Sequence, residues 1–253
     1  MKITFLGTGT SQGVPIIGCQ CNVCRSTNNK DKRLRTSVHI EIDGLSIIID
    51  SGPDFRQQIL RENIYKLDAI LYTHDHKDHT AGLDDVRAFN HLQKKHMEVY
   101  AEDYVLKTLQ KEFSYAFAKN KYPGVPKINL NQISNHKFKI ENTIIEPIRG
   151  THLKLPVLGY KINSFAYITD MNYISEIELE KIKNIDTLVI NALRHKKHVS
   201  HFNLEEALDI ISKTKVKKAY LTHISHALGK YNEIEKKLPK NVFLAYDGLC
   251  LDL

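Results

Sequence analysis

Residues 74–79 read His-Asp-His-Lys-Asp-His, three imidazoles and two carboxylates in six positions directly after an apolar run. In extended backbone, positions i and i+2 point the same way, so His74 and His76 can close on one ion. Asp78 and His79 follow at the expected start of a helix and can turn toward a second. Imidazoles with a carboxylate are the ligand set of a catalytic Zn²⁺ or Mn²⁺ centre that leaves positions open for water. A solvated polar loop is the plainer reading of such a stretch. So many ligands immediately behind a buried strand argue against it. Two ions need further ligands, and three residues stand where strands should end: His152 after 144–148, Asp170 after 166–169 and His223 after 219–222. Singly, each is an ordinary surface, cap or turn residue. Together with the six-residue motif they are hard to dismiss.

A second cluster is made of thiols. Cys19, Cys21 and Cys24 fall within six residues, while Cys250 stands apart. In a cytosolic chain, crowded thiols read as a metal site before they read as disulfides, and a Cys-x-Cys bridge would be strained. Cys250 is expected to be an ordinary core residue.

The elements that must position these groups alternate along the chain. Strands are expected over 2–6, 38–42, 45–50, 69–72, 98–101, 138–140, 144–148, 158–162, 165–169, 187–191, 217–222 and 242–246. Helices are expected over 54–61, 83–92, 103–118, 175–182, 204–213 and 231–238. Asp43-Gly44 between two apolar runs is a strong hairpin signal. The segments 69–74 and 219–223 echo each other as a buried strand ending in Thr-His. That fits two halves packed sheet to sheet with helices outside.

Composition narrows the class. The chain has 253 residues, 42% of them hydrophobic and 26% charged, with 12 Gly and 7 Pro, which excludes disordered, collagenous and low-complexity proteins. No apolar stretch approaches the ~18 residues of a membrane span. Residues 1–7 carry one charge and no apolar region of leader length, so a cytoplasmic globule without a membrane partner is expected. The net charge of +7 comes from 28 Lys and 8 Arg against 29 acidic residues. Nucleic-acid recognition favours the planar Arg fork, so this surplus reads as Lys on solvated faces. It permits a phosphate-bearing substrate without requiring one.

On these residues the sequence resembles the metallo-β-lactamase-fold hydrolases, from about position 4 to 247. The resemblance implies an α/β fold, a four-layer αββα sandwich, with a single domain over 1–253 and a zinc-pinned N-terminal loop around 7–37. It implies that His74, His76 and His152 hold one ion, that Asp78, His79 and His223 hold the second, and that Asp170 bridges them. The stretch Leu6-Gly7-Thr8-Gly9-Thr10-Ser11-Gln12-Gly13-Val14-Pro15, followed by Gly18 and the cysteines, is similar to the ribonuclease Z-like branch that contains the phosphoribosyl 1,2-cyclic phosphate phosphodiesterases. There a Cys3His zinc pins the N-terminal loop. A structural zinc at Cys19, Cys21 and Cys24 wants a fourth ligand, and His226, three residues past His223, is the best candidate.

The resemblance also implies roles. Asp78 would hold a metal and help position the attacking hydroxide, and His201 would face the leaving oxygen. His195 and His198, in the basic run before it, compete for that second role; His201 is preferred because it immediately precedes a helix start. The implied cofactors are two active-site divalent metals (Zn or Mn) and one structural Zn. The implied activity is hydrolysis of small, cyclic phosphodiesters such as phosphoribosyl 1,2-cyclic phosphate or 2′,3′-cyclic nucleotides. A ribonuclease Z-like tRNA 3′-end endonuclease is the alternative among enzymes. A non-catalytic, zinc-containing nucleic-acid-binding module is the alternative from another class. The expected partner is a small phosphodiester, with nucleic acid less favoured and a homodimer left open.

Overall fold

Asp43 and Gly44 both adopt positive φ (51° and 78°), the backbone of a two-residue hairpin turn, and the flanking runs pair from Val38–Ile49 to Ile42–Leu45. These strands belong to the first of two compact units into which the chain divides in the computed structural model, which describes residues 1–253. The first unit comprises Met1–Leu6, Ser37–Ser134 and Cys250–Leu253; the second comprises Gly7–Thr36 and Asn135–Leu249.

The sheet of the first unit contains β1 (Lys2–Gly7), β2 (Ser37–Ile42), β3 (Leu45–Ile49), β4 (Ala69–Leu71), β5 (Met97–Ala101) and β6 (Ile128–Gln132), with Cys250–Asp252 at the edge beside β1. From β3 to β6 the strands run parallel. Every residue of β3 and β4 is buried, as expected of parallel strands covered on both faces. Ile48, Ile70 and Val99 from the sheet pack with Phe55 and Phe89 from the helices Phe55–Arg61 and Arg87–Gln93.

The second unit holds β7 (Phe138–Ile140), β8 (Thr143–His152), β9 (Leu155–Ile162), β10 (Phe165–Ile168), β11 (Tyr173–Ile174), β12 (Thr187–Asn191), β13 (Lys218–Thr222) and β14 (Val242–Leu244). The main path runs β11-β8-β9-β10-β12-β13-β14, with β7 paired to β8. It changes from antiparallel to parallel at β10. The ends of β10, β12 and β13 therefore lie side by side.

Several elements differ from the sequence reading. The expected helix 83–92 is a 3₁₀ turn (Leu83–Val86) followed by a helix from Arg87, and 103–118 breaks at Phe113 (φ −103°, ψ 35°). Strand β8 continues through His152 because Gly150 admits the Met171 side chain; a Cβ there would lie 2.1 Å from its sulfur. Cys250 is exposed rather than in the core, since Cys250–Asp252 forms a last, half-exposed strand whose Cys250 is paired with Thr4.

The helix Leu204–Thr214 begins just after His201 with a complete capping box: the Asn203 side chain accepts from the Glu206 amide and the Glu206 carboxylate accepts from the Asn203 amide. Asn203→Ala is expected to lower stability by about 1 kcal/mol. A shift of the urea midpoint at unchanged m-value measures it.

Candidate metal centre

The first unit gathers His74, His76, Asp78 and His79. They follow β4, with His76 at the N-cap of the one-turn helix Lys77–Thr80. The His74 ring lies 4.6 Å from that of His76 and 4.3 Å from that of His79, centroid to centroid. His74 and His79 are fully buried. What orients them is Asp50, a residue to which the sequence reading gave no role. It sits at the end of β3 with φ 66°, fully buried, its backbone amide bonded to the Leu71 carbonyl at the end of β4 (2.9 Å). Burial raises its pKa, opposed by the His79 ring and by two donors from Thr73.

The hydrogen bonds form a chain. The Asp50 carboxylate accepts from the Thr73 amide (2.9 Å), from Thr73 Oγ1 (2.9 Å) and from His79 Nδ1 (2.7 Å). Because Thr73 Oγ1 donates to Asp50, it accepts from His74 Nδ1 (2.9 Å). Both histidines thus carry their proton on Nδ1 and turn Nε2 toward ligation, with His79 Nε2 3.2 Å from Asp78 Oδ2. A carboxylate–histidine arrangement of this kind is the usual outer shell of a divalent-ion site, so the residues fit the group that the motif implies.

The second unit gathers His152, Asp170, His201 and His223. His152 ends β8 and gives its Nδ1 to the Asp170 carbonyl (3.0 Å), which leaves Nε2 for a metal. Asp170 and His223 follow β10 and β13 in left-handed backbone (φ 57° and 54°), a conformation that Asp and His tolerate better than bulky residues. Asp170 Oδ2 lies 2.9 Å from His223 Nδ1 and accepts from Thr169 Oγ1 (2.6 Å). The ligating atoms of His152, Asp170 and His201 lie within 4.8 Å of one another.

His201 is the residue of its run that joins this cluster. Its ring stacks on His223 (4.8 Å, 24°) and meets His152 edge-on (4.6 Å). It is held there because the next residue, Phe202, donates to the Met171 carbonyl (2.7 Å) and accepts from the Leu193 amide (3.0 Å). Burial, with His223 beside it, pushes the His201 pKa down to about 3. His198 lies one ring further out (5.1 Å from His201), and His195 is exposed.

Cys19, Cys21, Cys24 and His226 converge as expected. The three Sγ atoms lie 3.3, 3.4 and 3.4 Å from His226 Nδ1. Tetrahedral zinc, with Zn–S about 2.3 Å and Zn–N about 2.0 Å, puts such pairs about 3.5 Å apart, so the donors fit that ion. Backbone amides point at the sulfurs: Cys24 N at Cys21 Sγ and Ile16 N at Cys24 Sγ, both 3.4 Å. The Cys24 amide lowers the Cys21 thiol to about 6, whereas burial pushes Cys24 up to about 11. The loop is tied to the end of β13: Ile224 donates to the Thr8 carbonyl (2.9 Å) and accepts from the Thr10 amide (3.1 Å). Buried Arg33 bonds Thr8 Oγ1 (2.8 Å) and the Ala245 carbonyl (2.6 Å). Gly9 passes so close to residues 33 and 34 that a Cβ would meet two carbonyl oxygens at 2.9 Å.

With this fold and these ligand clusters, the chain belongs to the beta-lactamase superfamily, whose domain model matches residues 46–224. Its fold is of the metallo-β-lactamase type, as the sequence implied. Its structure is similar to that of a diphosphatase from the PhnP family, with 39% identity, TM-score 0.93, and 100% of this chain and 97% of that one covered. In sequence it is 43% identical over 252 residues to an octanoyltransferase of Porphyromonas gingivalis, covering 98% of this chain and 51% of that protein. It is 24% identical over 189 residues to a ribonuclease Z of Methanococcus maripaludis, covering 73% of this chain and 54% of that protein. The chain thus spans about half the length of these two relatives. No helix is long and apolar enough to cross a membrane.

Asp50→Asn removes the charge that fixes the Nδ1 tautomers of His74 and His79. Metal affinity is expected to fall about 10- to 100-fold, read by metal analysis after graded chelator dialysis with the circular dichroism unchanged. Unaltered affinity would mean that the carboxylate does not set the ligands.

Proposed function

We propose that the chain is a dinuclear-metal phosphodiesterase acting on small phosphodiesters, and that its two units work as one domain over 1–253. The observation that carries this reading is the pair of His/Asp clusters at strand ends, with the Nδ1 atoms of His74, His79 and His152 committed to hydrogen bonds that free Nε2. Folding alone asks for far fewer buried imidazoles. His74, His76 and His152 would hold one ion, Asp78, His79 and His223 the other, with Asp170 between them. Two divalent cations at such a site supply a water acidified toward neutral pKa and charge neutralisation for the phosphoryl oxygens.

The chain's own groups do the rest. Asp78 orients the attacking water while its carboxylate is ligated. Asp170 keeps His152 in register through its carbonyl and His223 through its carboxylate. His201, packed on His223 and His152, presents its ring to the departing oxygen and hydrogen-bonds to it as the P–O bond breaks. No side-chain nucleophile enters. The Cys3His cluster would hold a structural zinc that keeps the loop 7–37 against the segment bearing His223 and His226. The reading places the protein in the cytoplasm.

The 39% identity to a diphosphatase supports hydrolysis at phosphorus, since a diphosphate bridge and a phosphodiester present the same non-bridging oxygens to the site. Cleavage of tRNA 3′ ends is the second reading, favoured by the ribonuclease Z likeness. It is the weaker of the two, because no stretch has the Gly- and Pro-rich composition of a tRNA-gripping arm. A non-catalytic nucleic-acid module leaves the two His/Asp clusters without a use. Octanoyl transfer is named for a protein about twice as long, and we assign none of it to this half.

His201→Ala is expected to lower turnover of bis-p-nitrophenyl phosphate about 10²- to 10⁴-fold with metal content intact. Metal loss in that variant would instead make His201 a ligand, and full activity would remove it from the mechanism. Cys21→Ala should release one zinc per chain and lower the Tm by several degrees. An unchanged zinc stoichiometry would refute the structural site.

A further inference from the structure

Eleven residues other than glycine have positive φ, and ten of them are polar or charged; the exception is Leu153 (φ 58°). It is the first residue of the two-residue turn Leu153-Lys154 that joins β8 to β9, where His152 pairs with Leu155. Such turns take Asn, Asp or Gly because a bulky side chain strains the left-handed backbone. Leu153 is also 58% exposed, so burial does not offset that strain. A strained apolar residue displayed beside the candidate ligand His152 points to use rather than to packing.

Val199 is 71% exposed, between His198 and Ser200 in the loop that carries His201. One side chain ties the two segments together. The carboxamide of Asn172 accepts from the Leu153 amide (2.8 Å) and donates to the Val199 carbonyl (3.2 Å), while its own amide bonds the Thr151 carbonyl (2.9 Å). The backbones of Leu153 and Val199 are therefore tied together through one side chain, Leu153 next in sequence to His152 and Val199 two residues before His201. The same loop brings positive charge: Arg194 donates to the carbonyls of Lys196 and Lys197 (3.1 and 3.0 Å), and both lysines are exposed.

Resting on the phosphodiesterase reading, we infer that Leu153 and Val199, set by Asn172, form an apolar clamp for the nucleobase of the substrate. The natural substrate is then a nucleoside phosphodiester rather than a base-free sugar phosphate. An apolar pair flanked by lysines matches a ligand that is anionic at one end and flat and apolar at the other. A sugar phosphate offers hydroxyl groups that gain nothing from two aliphatic side chains. A nucleobase covers both with its π face.

The test compares adenosine 2′,3′-cyclic phosphate with phosphoribosyl 1,2-cyclic phosphate on the wild-type chain, on Leu153→Asn and on Val199→Thr. The wild type should prefer the adenosine substrate in kcat/KM, and each variant should lower that ratio about five- to tenfold, mainly through KM. Leu153→Asn, which suits left-handed backbone, should at the same time raise the Tm by about 2–4 °C. A ratio unchanged in both variants, or a wild-type preference for the base-free substrate, overturns the clamp. Should the wild type hydrolyse neither substrate, the phosphodiesterase reading fails, and calorimetric titration with adenosine 3′-monophosphate judges the clamp by itself. Binding weakened about fivefold in Leu153→Asn retains it; equal binding, or none to the wild type, overturns it.

Discussion

A carboxylate sealed from water must be saturated with donors, and Asp50 meets that demand in a way that orients the candidate ligands of the first unit. Its oxygens take a backbone amide, a hydroxyl and an imidazole N–H. The hydroxyl, its own proton spent on Asp50, accepts from His74. One charge therefore decides the tautomers of two histidines, and the tautomer decides which nitrogen is offered to an ion. The parallel pairing of β3 and β4 makes this reachable, because it brings the ends of both strands to the same edge of the sheet. Ligand sites in open α/β sheets form at such carboxyl ends for the same geometric reason.

The second unit reaches a similar result by other means. A main-chain carbonyl, that of Asp170, fixes His152, and the side chain of the same residue meets His223. Two strand ends on either side of β12 turn sharply through left-handed residues, so that polar side chains leave the sheet where apolar ones would continue it. Between His223 and His226 lies Ile224, bonded in both directions to the N-terminal loop. The thiol cluster and the imidazole cluster are thus anchored to one short segment, with two residues between His223 and His226.

Strain is distributed unevenly over these positions. Asp50, Asp170 and His223 occupy left-handed backbone with side chains that tolerate it and hydrogen bonds that hold it. Leu153 occupies it with a bulky, exposed apolar side chain, held only through its backbone amide by Asn172. The contrast separates residues at the candidate metal clusters from one at a turn whose side chain is left exposed.

Much of the site was legible in the sequence because its signals are short-range. The His-Asp-His-Lys-Asp-His run, the three cysteines within six residues, and the His or Asp that closes an apolar strand are spacings along one segment, and backbone periodicity translates them directly into direction in space. Tertiary structure decided the rest. Asp50 lies 29 residues from the ring it orients, and only strand register brings the two together. That His201, already preferred in the sequence over His195 and His198, packs against His223 and His152 depends on a loop laced to Met171 and Leu193, and Asn172 acquires meaning only from the two segments it joins. Cys250 was misplaced because its exposure depends on a three-residue strand whose only support is an edge partner at the far end of the chain. Local pattern specifies which chemical groups exist and how each leaves the backbone; long-range pairing specifies which of them meet.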